Sequence, residues 1–497
     1  MSLSGGLPAI LGIDLGTSQL KALLATPDGQ VLGRGTAPYP VTIPGKDKAE
    51  TNPADWWRAA AAAVREATAS APGAHVTALG LAGQMHGVVL ADAEGTPLTQ
   101  AILWLDRRAA AEAAEYAALP AKLTAKLGNQ PSPGMAGPIL RWLAKHEPRT
   151  LAAAQWALQP KDWLRLRLTG EAATDPTDAS GTLLFDLTRG AWAHDLIDAL
   201  GLPGHLLPPI AEPHEIAGLL RPAAAAHLGL EPGIPVATGA ADTAAALFAV
   251  DLPDDAALLT LGTGGQWLVP AGTAPHEAAH TNLFRAIGTA GANAAALYRL
   301  AAVQNMGETI QWVRTVLGVS WDHAYSVAGR PWRADTPLFL PYLTRERWDA
   351  TATGAWAGLT LGHDRDDLMR GGLEGVAFLL RVRLADLRAA GHDPKEVVIG
   401  GGGSRHPAWR QLLADVLGLP LRPASTTWLS PAGAARLAQA AAVATGRLPR
   451  GATRERSEPE SEVIEPAAPD AASAGYGRFL RLRQSQSAST AGTGPGR

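Results

Sequence analysis

The chain opens with apolar runs separated by glycine-containing turns, a pattern that indicates a β-meander. Residues 10–25 read ILGIDLGTSQLKALLA: an apolar run, one carboxylate, a Gly-Thr-Ser turn and a second apolar run. This predicts a strand with Asp14 at its end, a tight turn and a returning strand. The turn signal PDG at 27–29 leads into a third strand, so residues 1–36 are predicted to form a three-stranded meander. A similar pattern, LLTLGTGGQWLV, recurs at residues 258–269.

Predicted strands and helices follow one another along the rest of the chain. Asn52-Pro53 supplies an N-cap residue and a first-turn proline, and the helix that begins there should reach about residue 70. The resulting β-β-β-α-β order differs from the strict alternation of a Rossmann fold. Residues 194–232 show few periodic signals and are predicted to be an irregular crossing into the second half. Further strands are predicted at 76–82, 87–91, 101–105, 257–261, 266–269 and 396–399, and further helices at 300–317, 365–390 and 407–417.

Length and composition narrow the class of protein. The chain has 497 residues, more than one hydrophobic core usually holds, so two domains are expected. Hydrophobic residues make up 46% and the formal net charge is −3, which argues against nucleic acid as a partner. The absence of cysteine removes disulfides, thiolate metal sites and cysteine nucleophiles. No signal-peptide pattern and no bilayer-length apolar stretch is visible, so a cytoplasmic protein without a membrane partner is expected.

The two glycine turns are candidates for phosphate binding. Gly16 lets the backbone approach a ligand closely, and Thr17 and Ser18 add hydroxyl and N–H groups that can bind phosphate oxygens. Asp14 stands where a phosphate-bound cation would sit, and Lys21 is within reach of the same place. Either turn alone could be an ordinary hairpin. Together they favour a duplicated nucleotide-binding fold, with the second turn formed by Gly262, Thr263 and Gly264.

Two further segments could contribute chemistry to such a site. Gly400–Gly403 follows an apolar strand and precedes a helix, so it is either a plain loop or a place where the chain passes close to a flat ligand. Asp242 lies among small residues near a predicted helix start and just before the second turn. It is either an N-cap or a base that accepts the proton of an attacking hydroxyl, as phosphoryl transfer to an alcohol requires.

A polar tip between glycines suggests a sugar pocket. Gln84, Met85 and His86 end a predicted strand and together present donors, an acceptor and an apolar face, which suits a polyol. The segment ILWLDRR ends another strand with Trp104 and Asp106. It is either an ion-paired strand end or the wall of the same pocket.

Taken together, these segments resemble the FGGY carbohydrate kinases. The similarity runs from about residue 10 to 483 and includes LQPKDWLRLRLTGEAATDPTDASGT (158–182), PYLTRER (341–347) and PAGAARLAQ (431–439). It implies an α/β protein of two RNase H-like domains, of the actin, Hsp70 and hexokinase type, with an ATP and sugar cleft between them. The domains would span residues 1–248 and 249–483, followed by a disordered tail at 484–497.

The resemblance also implies roles for individual residues, with ATP as donor and Mg²⁺ as cofactor. Asp242 would be the general base, and Asp14 would act through the metal ion. Thr243 stands where family members commonly have Asn, next to the base. The implied sugar contacts are Gln84, Met85, His86, Asp106 and Thr243; the implied phosphate contacts are Gly16, Thr17, Ser18, Lys21, Gly262, Thr263 and Gly264; and Gly401, Gly402 and Gly403 would border the adenosine.

The implied reaction is phosphorylation of a small sugar. The GQMHG segment (83–87) is similar to that of family members that convert D-xylulose to D-xylulose 5-phosphate. A kinase for another ketose, a pentitol or a sugar acid is the alternative within the family. An actin-like or chaperone-type ATPase, or a sugar-sensing regulator, is the alternative outside it. The sequence does not report the oligomeric state, although dimers are common in this family.

Overall fold

Two mixed β-sheets, one from each half of the chain, form the framework of the molecule. The computed structural model describes residues 6–250, 252–253, 255–272, 278–288, 296–344, 346, 353–449 and 462–491. The strands of the N-terminal half are β1 Leu7–Leu15, β2 Gln19–Ala25, β3 Val31–Pro38, β4 Glu50–Thr51, β5 Ala74–Gly83, β6 Val89–Ala91, β7 Ala101–Ile102, β8 Trp156–Leu158, β9 Phe185–Asp186, β10 Ala191–Trp192, β11 Ile216–Leu219, β12 Pro235–Ala237 and β13 Ala240–Ala241. Its helices are α1 Pro53–Ala69, α2 Ala110–Glu115, α3 Ala121–Thr124, α4 Ala136–His146, α5 Pro148–Ala153, α6 Pro160–Thr169, α7 Pro176–Ala179, α8 His194–Ala199, α9 Pro222–Leu228 and α10 Asp242–Phe248.

The C-terminal half repeats the same kind of order with longer helices. Its strands are β14 Ala256–Leu261, β15 Gly265–Pro270, β16 Asn282–Arg285, β17 Leu297–Val303, β18 Leu338–Leu340, β19 Ala355–Ala357, β20 Glu396–Gly400 and β21 Leu421–Pro423. Its helices are α11 Gly307–Val316, α12 Trp321–Val327, α13 Arg365–Ala389, α14 Pro407–Leu417, α15 Leu429–Ala444 and α16 Pro469–Ala491.

The two large sheets have matching topologies. The first has the order β11-β12-β5-β1-β2-β3, with β13 also paired to β5, and the second has the order β16-β17-β15-β14-β20-β21. In the first sheet an antiparallel meander, β1 to β3, is followed by β5 parallel to β1. In the second, β14 and β15 are antiparallel and β20 is parallel to β14. Each half therefore carries a β-hairpin turn beside the carboxyl end of a parallel strand.

Helices α10 and α15 form a thin layer of small residues that joins the two halves. Helix α15 belongs to the C-terminal half but packs on β1 and β5 of the first sheet. A Cβ atom on Gly80 of β5 would overlap the backbone oxygen of Ala434 in α15, and one on Gly433 would overlap the backbone oxygen of Ala245 in α10. Only glycine fits at these two contacts, because the backbones approach each other so closely. The many alanines of both helices have side chains small enough to allow that approach.

Several predictions of secondary structure are confirmed, and their local causes are visible. The meander over β1 to β3 is present, and so are the strands at β5, β14, β15 and β20. Helix α1 begins as predicted: the Asn52 side chain accepts a hydrogen bond from Ala54 N, and Pro53 occupies the first turn. Helix α13 begins with a capping box in which Asp364 and Asp367 bind each other's backbone N–H groups.

Three other predictions are wrong. Residues 300–317 were expected to be one helix, but Leu297–Val303 is strand β17 and only Gly307–Val316 is helical. The crossing at 194–232 contains α8, β11 and α9. Residues 484–491, expected to be disordered, continue helix α16, which packs by its earlier residue Phe479 into the C-terminal core. The remaining tail, 492–497, lies outside the described residues, as do Arg345 and Arg347 of PYLTRER.

Candidate active site

The first glycine turn is held in place by hydrogen bonds to one carbonyl. The backbone oxygen of Gly16 accepts from the Tyr39 hydroxyl and, at 3.0 Å, from Gln84 Nε2. Thr17 Oγ1 accepts a 2.9 Å hydrogen bond from Trp104 Nε1, which leaves the Thr17 proton available to another acceptor. These hydrogen bonds from Tyr39, Gln84 and Trp104 fix the shape of the loop.

Asp14 is a buried carboxylate with unused bonding capacity at this turn. It is 5% exposed, and its Oδ1 has no hydrogen-bond partner among the described residues. Lys21, directly opposite on β2, is paired with it in register. Burial raises the pKa of Asp14, and the positive charge of Lys21 opposes that rise. A buried carboxylate with a free oxygen suits a divalent cation, because Mg²⁺ prefers hard oxygen ligands.

Asp242 lies at the start of helix α10, directly after strand β13. Because β13 and β1 both run parallel to β5, Asp14 and Asp242 emerge at the same edge of the sheet. Burial and then the negative charge of Asp14 raise the pKa of Asp242 to about 7, while a 2.7 Å hydrogen bond from Thr243 N lowers it. A carboxyl that titrates near neutral pH is well matched to general-base chemistry.

The Gln-Met-His tip meets the base through Thr243. Thr243 Oγ1 lies 3.2 Å from Met85 Sδ, so the tip and the start of α10 are in contact. His86 has a φ of 75°, in the left-handed region that is costly for a residue with a Cβ atom. Its Nδ1 donates to the Gly181 carbonyl at 2.7 Å, and its ring lies 5.8 Å from that of Phe284. Residues of both halves thus surround the tip.

The two polar atoms of the Gln84 amide have different environments. Its nitrogen binds the Gly16 carbonyl, while its buried Oε1 has no hydrogen-bond partner among the described residues. A buried oxygen without a partner costs free energy unless a ligand or water satisfies it. This arrangement is compatible with a sugar hydroxyl at Gln84 Oε1.

The second and third glycine turns lie side by side in the other sheet. Gly262 N donates to Gly264 O at 2.9 Å, and Thr263 O accepts from Glu308 N at 3.1 Å. Gly401 has a φ of 88°, and a Cβ atom there would overlap the backbone oxygen of Leu261. The strand ends are adjacent because β14 and β20 pair in parallel. Backbone N–H groups at these turns can bind phosphate oxygens, and the lack of side chains lets a flat ring lie against the backbone.

Asp106 is engaged within the protein. It is 1% exposed; its Oδ2 accepts from Ala49 N at 2.7 Å, and both of its oxygens accept from the Arg108 guanidinium, at 2.9 and 2.8 Å. Arg108 also pairs with Glu50. The structure therefore matches the ion-paired strand end that the sequence allowed. A role for Asp106 in holding sugar stays a prediction.

Two tyrosines of the site were missed by the sequence analysis. Tyr39 fixes the first turn, and its pKa is raised by burial and by the charge of Asp14. The Tyr298 hydroxyl lies 2.6 Å from Thr243 Oγ1 and joins the second sheet to the start of α10. Tyr298 lies on strand β17, which the sequence analysis missed, and its contact with Thr243 crosses between the two halves of the chain.

Fold and site together define a class of protein. Two domains with matching sheets, each with a glycine turn, and a cleft that holds two carboxylates are features of the two-domain sugar kinases of actin- and hexokinase-like architecture. None of the described helices combines the length and the apolar character that crossing a membrane requires.

The chain belongs to the FGGY family of carbohydrate kinases. Residues 9–249 match the N-terminal domain of that family, and residues 257–442 match its C-terminal domain. This membership favours a phosphotransferase acting on a sugar over a chaperone-type ATPase.

Individual relatives support the same family. A xylulose kinase of Escherichia coli (strain K12) is 35% identical over 442 residues, covering 87% of this chain and 90% of that protein. A glycerol kinase of Alkalilimnicola ehrlichii is 32% identical over 461 residues, covering 89% and 92%. The crystal structure of a protein described as a xyloylose kinase from Brucella ovis superposes with a TM-score of 0.85 at 33% identity, covering 97% of this chain and 99% of that one.

Proposed function

We propose that this chain transfers the γ-phosphoryl group of ATP to the terminal hydroxyl of D-xylulose, giving D-xylulose 5-phosphate. The observation that carries the proposal is the position of Asp242, which emerges at the same sheet edge as Asp14 and directly precedes Thr243, the residue in contact with Met85. The similarity to a xylulose kinase at 35% identity supports the choice of sugar.

The phosphate groups of ATP would be held by backbone and hydroxyl groups of the two turns. Gly16, Thr17 and Ser18 would contribute from the first sheet, with Lys21 as the nearby positive charge. Gly262–Gly264 would contribute from the second, and Gly401–Gly403 would border the adenosine. The free oxygen of Asp14 fits Mg²⁺, which when bound would neutralise charge on the transferred phosphoryl group.

The sugar would lie against the Gln-Met-His tip with its terminal hydroxyl at Asp242. Ionised Asp242 would accept the hydroxyl proton as the oxygen attacks, a step to which a positioned base contributes about 10²–10⁴-fold in rate. Gln84 Oε1 would accept from one hydroxyl of the sugar, and Met85 and His86 would contact its carbon skeleton. Closure of the cleft would exclude water, which would otherwise compete as the phosphoryl acceptor.

The decisive experiment measures ATP-dependent phosphorylation of D-xylulose, D-ribulose, xylitol, glycerol and gluconate. We expect the highest kcat/KM with D-xylulose, and an Asp242→Asn variant should lose about 10²–10⁴-fold in kcat. Glu231→Gln, an exposed carboxylate without a site contact, is the matched control. Equal activity on all five compounds would contradict the substrate assignment. Near-normal turnover by Asp242→Asn would contradict the base.

A kinase for a different small polyol is the second candidate. The Thr243 hydroxyl is already engaged with Tyr298 and Met85. It therefore has fewer hydrogen bonds available to the sugar than a free amide would have. The 32% identity to a glycerol kinase points the same way. The substrate panel separates the two candidates. A cytoplasmic location and a homodimeric state both stay predictions.

A further inference from the structure

Five fully buried charged side chains lie behind the candidate active site. Lys161 Nζ is 2.6 Å from Asp162 Oδ1, 2.6 Å from Asp175 Oδ2 and 2.9 Å from Asp178 Oδ2, and Arg165 Nη1 is 3.0 Å from Asp162 Oδ1. All five have an exposure of 0%. Charges are costly to bury even when paired, so a network of this size away from solvent calls for a physical explanation.

The network is not arranged as a metal site. The carboxylates of Asp162, Asp175 and Asp178 are close enough to one another to hold an ion. However, the Lys161 ammonium already lies within 2.9 Å of an oxygen of each, in the place that a cation would take. Burial raises the pKa of Asp178, and the positive charge of Lys161 opposes that rise.

The buried charged cluster forms hydrogen bonds to the backbone of residues 238–241, the segment directly before Asp242. Arg165 Nη1 donates to the Thr238 carbonyl at 2.6 Å, and Ala241 N donates to Thr177 Oγ1 at 2.8 Å. Residues 238–241 are therefore held at both ends, and Asp242 follows directly. The hydrogen bond at Ala241 therefore restrains the backbone directly before the Asp242 carboxylate.

The Thr177 hydroxyl is oriented for this task. It donates its single proton to Asp175 Oδ1, which also accepts from Thr177 N at 2.8 Å. A hydroxyl has one proton and two lone pairs, so a lone pair faces the Ala241 N–H. Asp175 is fixed in turn by its ion pair with Lys161. The chain of contacts runs from Lys161 through Asp175 and Thr177 to Ala241.

We propose that Lys161, Asp175 and Thr177 act as positioning residues for Asp242, by fixing the backbone of Ala241, the residue directly before the base, and thereby the place of the base carboxylate. This inference rests on the proposed function, because it takes Asp242 as the base. A small displacement of a reacting group can cost about 100-fold in rate, so rigid support behind the base has a direct catalytic value.

The test replaces the Thr177 hydroxyl and leaves the ion pairs intact. Thr177→Val should lower kcat about 10- to 100-fold while KM for ATP and for the sugar change by less than about threefold. Thr177→Ser keeps the hydroxyl and should restore kcat to within about threefold of the unchanged protein. Hydrogen exchange at the 238–242 amides should become faster in Thr177→Val and not in Thr177→Ser.

Thr174→Val is the matched control. Thr174 is equally buried and lies on the same segment, but its Oγ1 has no hydrogen-bond partner among the described residues. It should leave kcat and the exchange of 238–242 unchanged. If Thr177→Val does not fold, Thr177→Ala, which removes the same hydroxyl without adding bulk, takes its place.

The outcomes separate this inference from the proposed function. If Asp242→Asn keeps its activity, or the unchanged protein phosphorylates none of the five compounds, the proposed function is wrong. If Asp242→Asn is inactive but Thr177→Val has normal kcat, the positioning role is wrong. It is also wrong if Thr177→Val and Thr174→Val lose kcat equally, or if Thr177→Ser rescues nothing.

Discussion

The two β-hairpin turns of the molecule have the same backbone plan and different chemistry. In the first sheet, Asp14 on β1 pairs with Lys21 on β2 next to Gly16-Thr17. In the second sheet, Thr260 on β14 pairs with Gln266 on β15 next to Gly262-Thr263. The residue two positions before the turn glycine is a carboxylate in one half and a neutral hydroxyl in the other, and the cross-strand partner changes from a lysine to an amide.

This difference separates the contribution of the turn's backbone shape from that of the charged side chains beside it. Thr260 Oγ1 donates to Gln266 Oε1 at 3.0 Å, so the neutral pair satisfies itself. Asp14 Oδ1 has no such partner among the described residues and remains available to a ligand. The glycine turn supplies N–H groups wherever it occurs, whereas the charged pair is what makes one copy a candidate for cation chemistry. A repeated fold can therefore divide binding and catalysis between its halves.

The largest expected effect comes from replacing the side chain two positions before each turn glycine, Asp14 in the first sheet and Thr260 in the second. Asp14→Asn should lower kcat/KM for ATP about 10²–10³-fold, because a group that stabilises transition-state charge is lost. Among the described residues, the Thr260 hydroxyl bonds only to Gln266, so Thr260→Val should change kcat/KM by less than about twofold and the free energy of unfolding by about 1 kcal/mol. Steady-state kinetics with varied ATP and Mg²⁺ measures both. Similar losses in the two variants would show that the turns are equivalent.

The second prediction concerns the glycine turns of the second sheet and tests whether their backbone conformation is what binds the nucleotide. Gly401→Ala places a Cβ atom on a left-handed residue against the Leu261 carbonyl and should cost at least about 2 kcal/mol in the free energy of unfolding. Gly402→Ala meets no atom within 4 Å and should be neutral within about 0.5 kcal/mol. Denaturant unfolding measures the difference.

Kinetics complete that test. If Gly402 borders the adenosine, Gly402→Ala should raise KM for ATP and leave KM for the sugar unchanged. An unfolding free energy of Gly401→Ala equal to that of Gly402→Ala would contradict the assigned backbone conformation.

Much of this framework could be predicted because it depends on local signals. The turns at Gly16 and Gly262, the cap at Asn52 and the strands around them are encoded within a few residues each. Strand β17 was missed because a short apolar run does not distinguish a buried strand from a helix. Pairing with β15 and β16, which is not local, decides its conformation.

The candidate site was predictable only where its residues end strands. Asp14 and Gln84 follow from position alone. The support behind Asp242 does not, because Lys161 and Asp178 look like ordinary surface charges in the sequence. Their partners come together only when α6 and α7 pack behind strand β13. Tyr298 was hidden for the same reason, since its contact with Thr243 crosses between the two halves.

The third prediction concerns pH and uses the electrostatic influence of the charged turn. With the pKa of Asp242 raised to about 7, the protonated acid predominates below that pH and cannot accept the sugar proton. The value of kcat/KM for the sugar should fall about tenfold per pH unit below 7. In Asp14→Asn the residual activity should keep its plateau to lower pH, because the like charge that raises the pKa is gone. A profile that is flat down to pH 5 would contradict the assignment of the base.

The last and smallest effect comes from making the first turn resemble the second. Lys21→Gln places the amide of the second sheet at the matching position of the first. The positive charge of Lys21 lowers the pKa of both Asp14 and Asp242, so its removal should raise both. The acid limb of kcat, measured at saturating ATP, should move to higher pH, so that the loss of kcat is larger at pH 6.5 than at pH 8.5. Lys395, which directly precedes β20, lies at the end of that strand opposite to the glycine turn, so Lys395→Gln removes the same charge away from the site and should leave the acid limb unchanged. A limb that shifts downward, or equally in both variants, would mean that the first turn does not owe its chemistry to the charged pair.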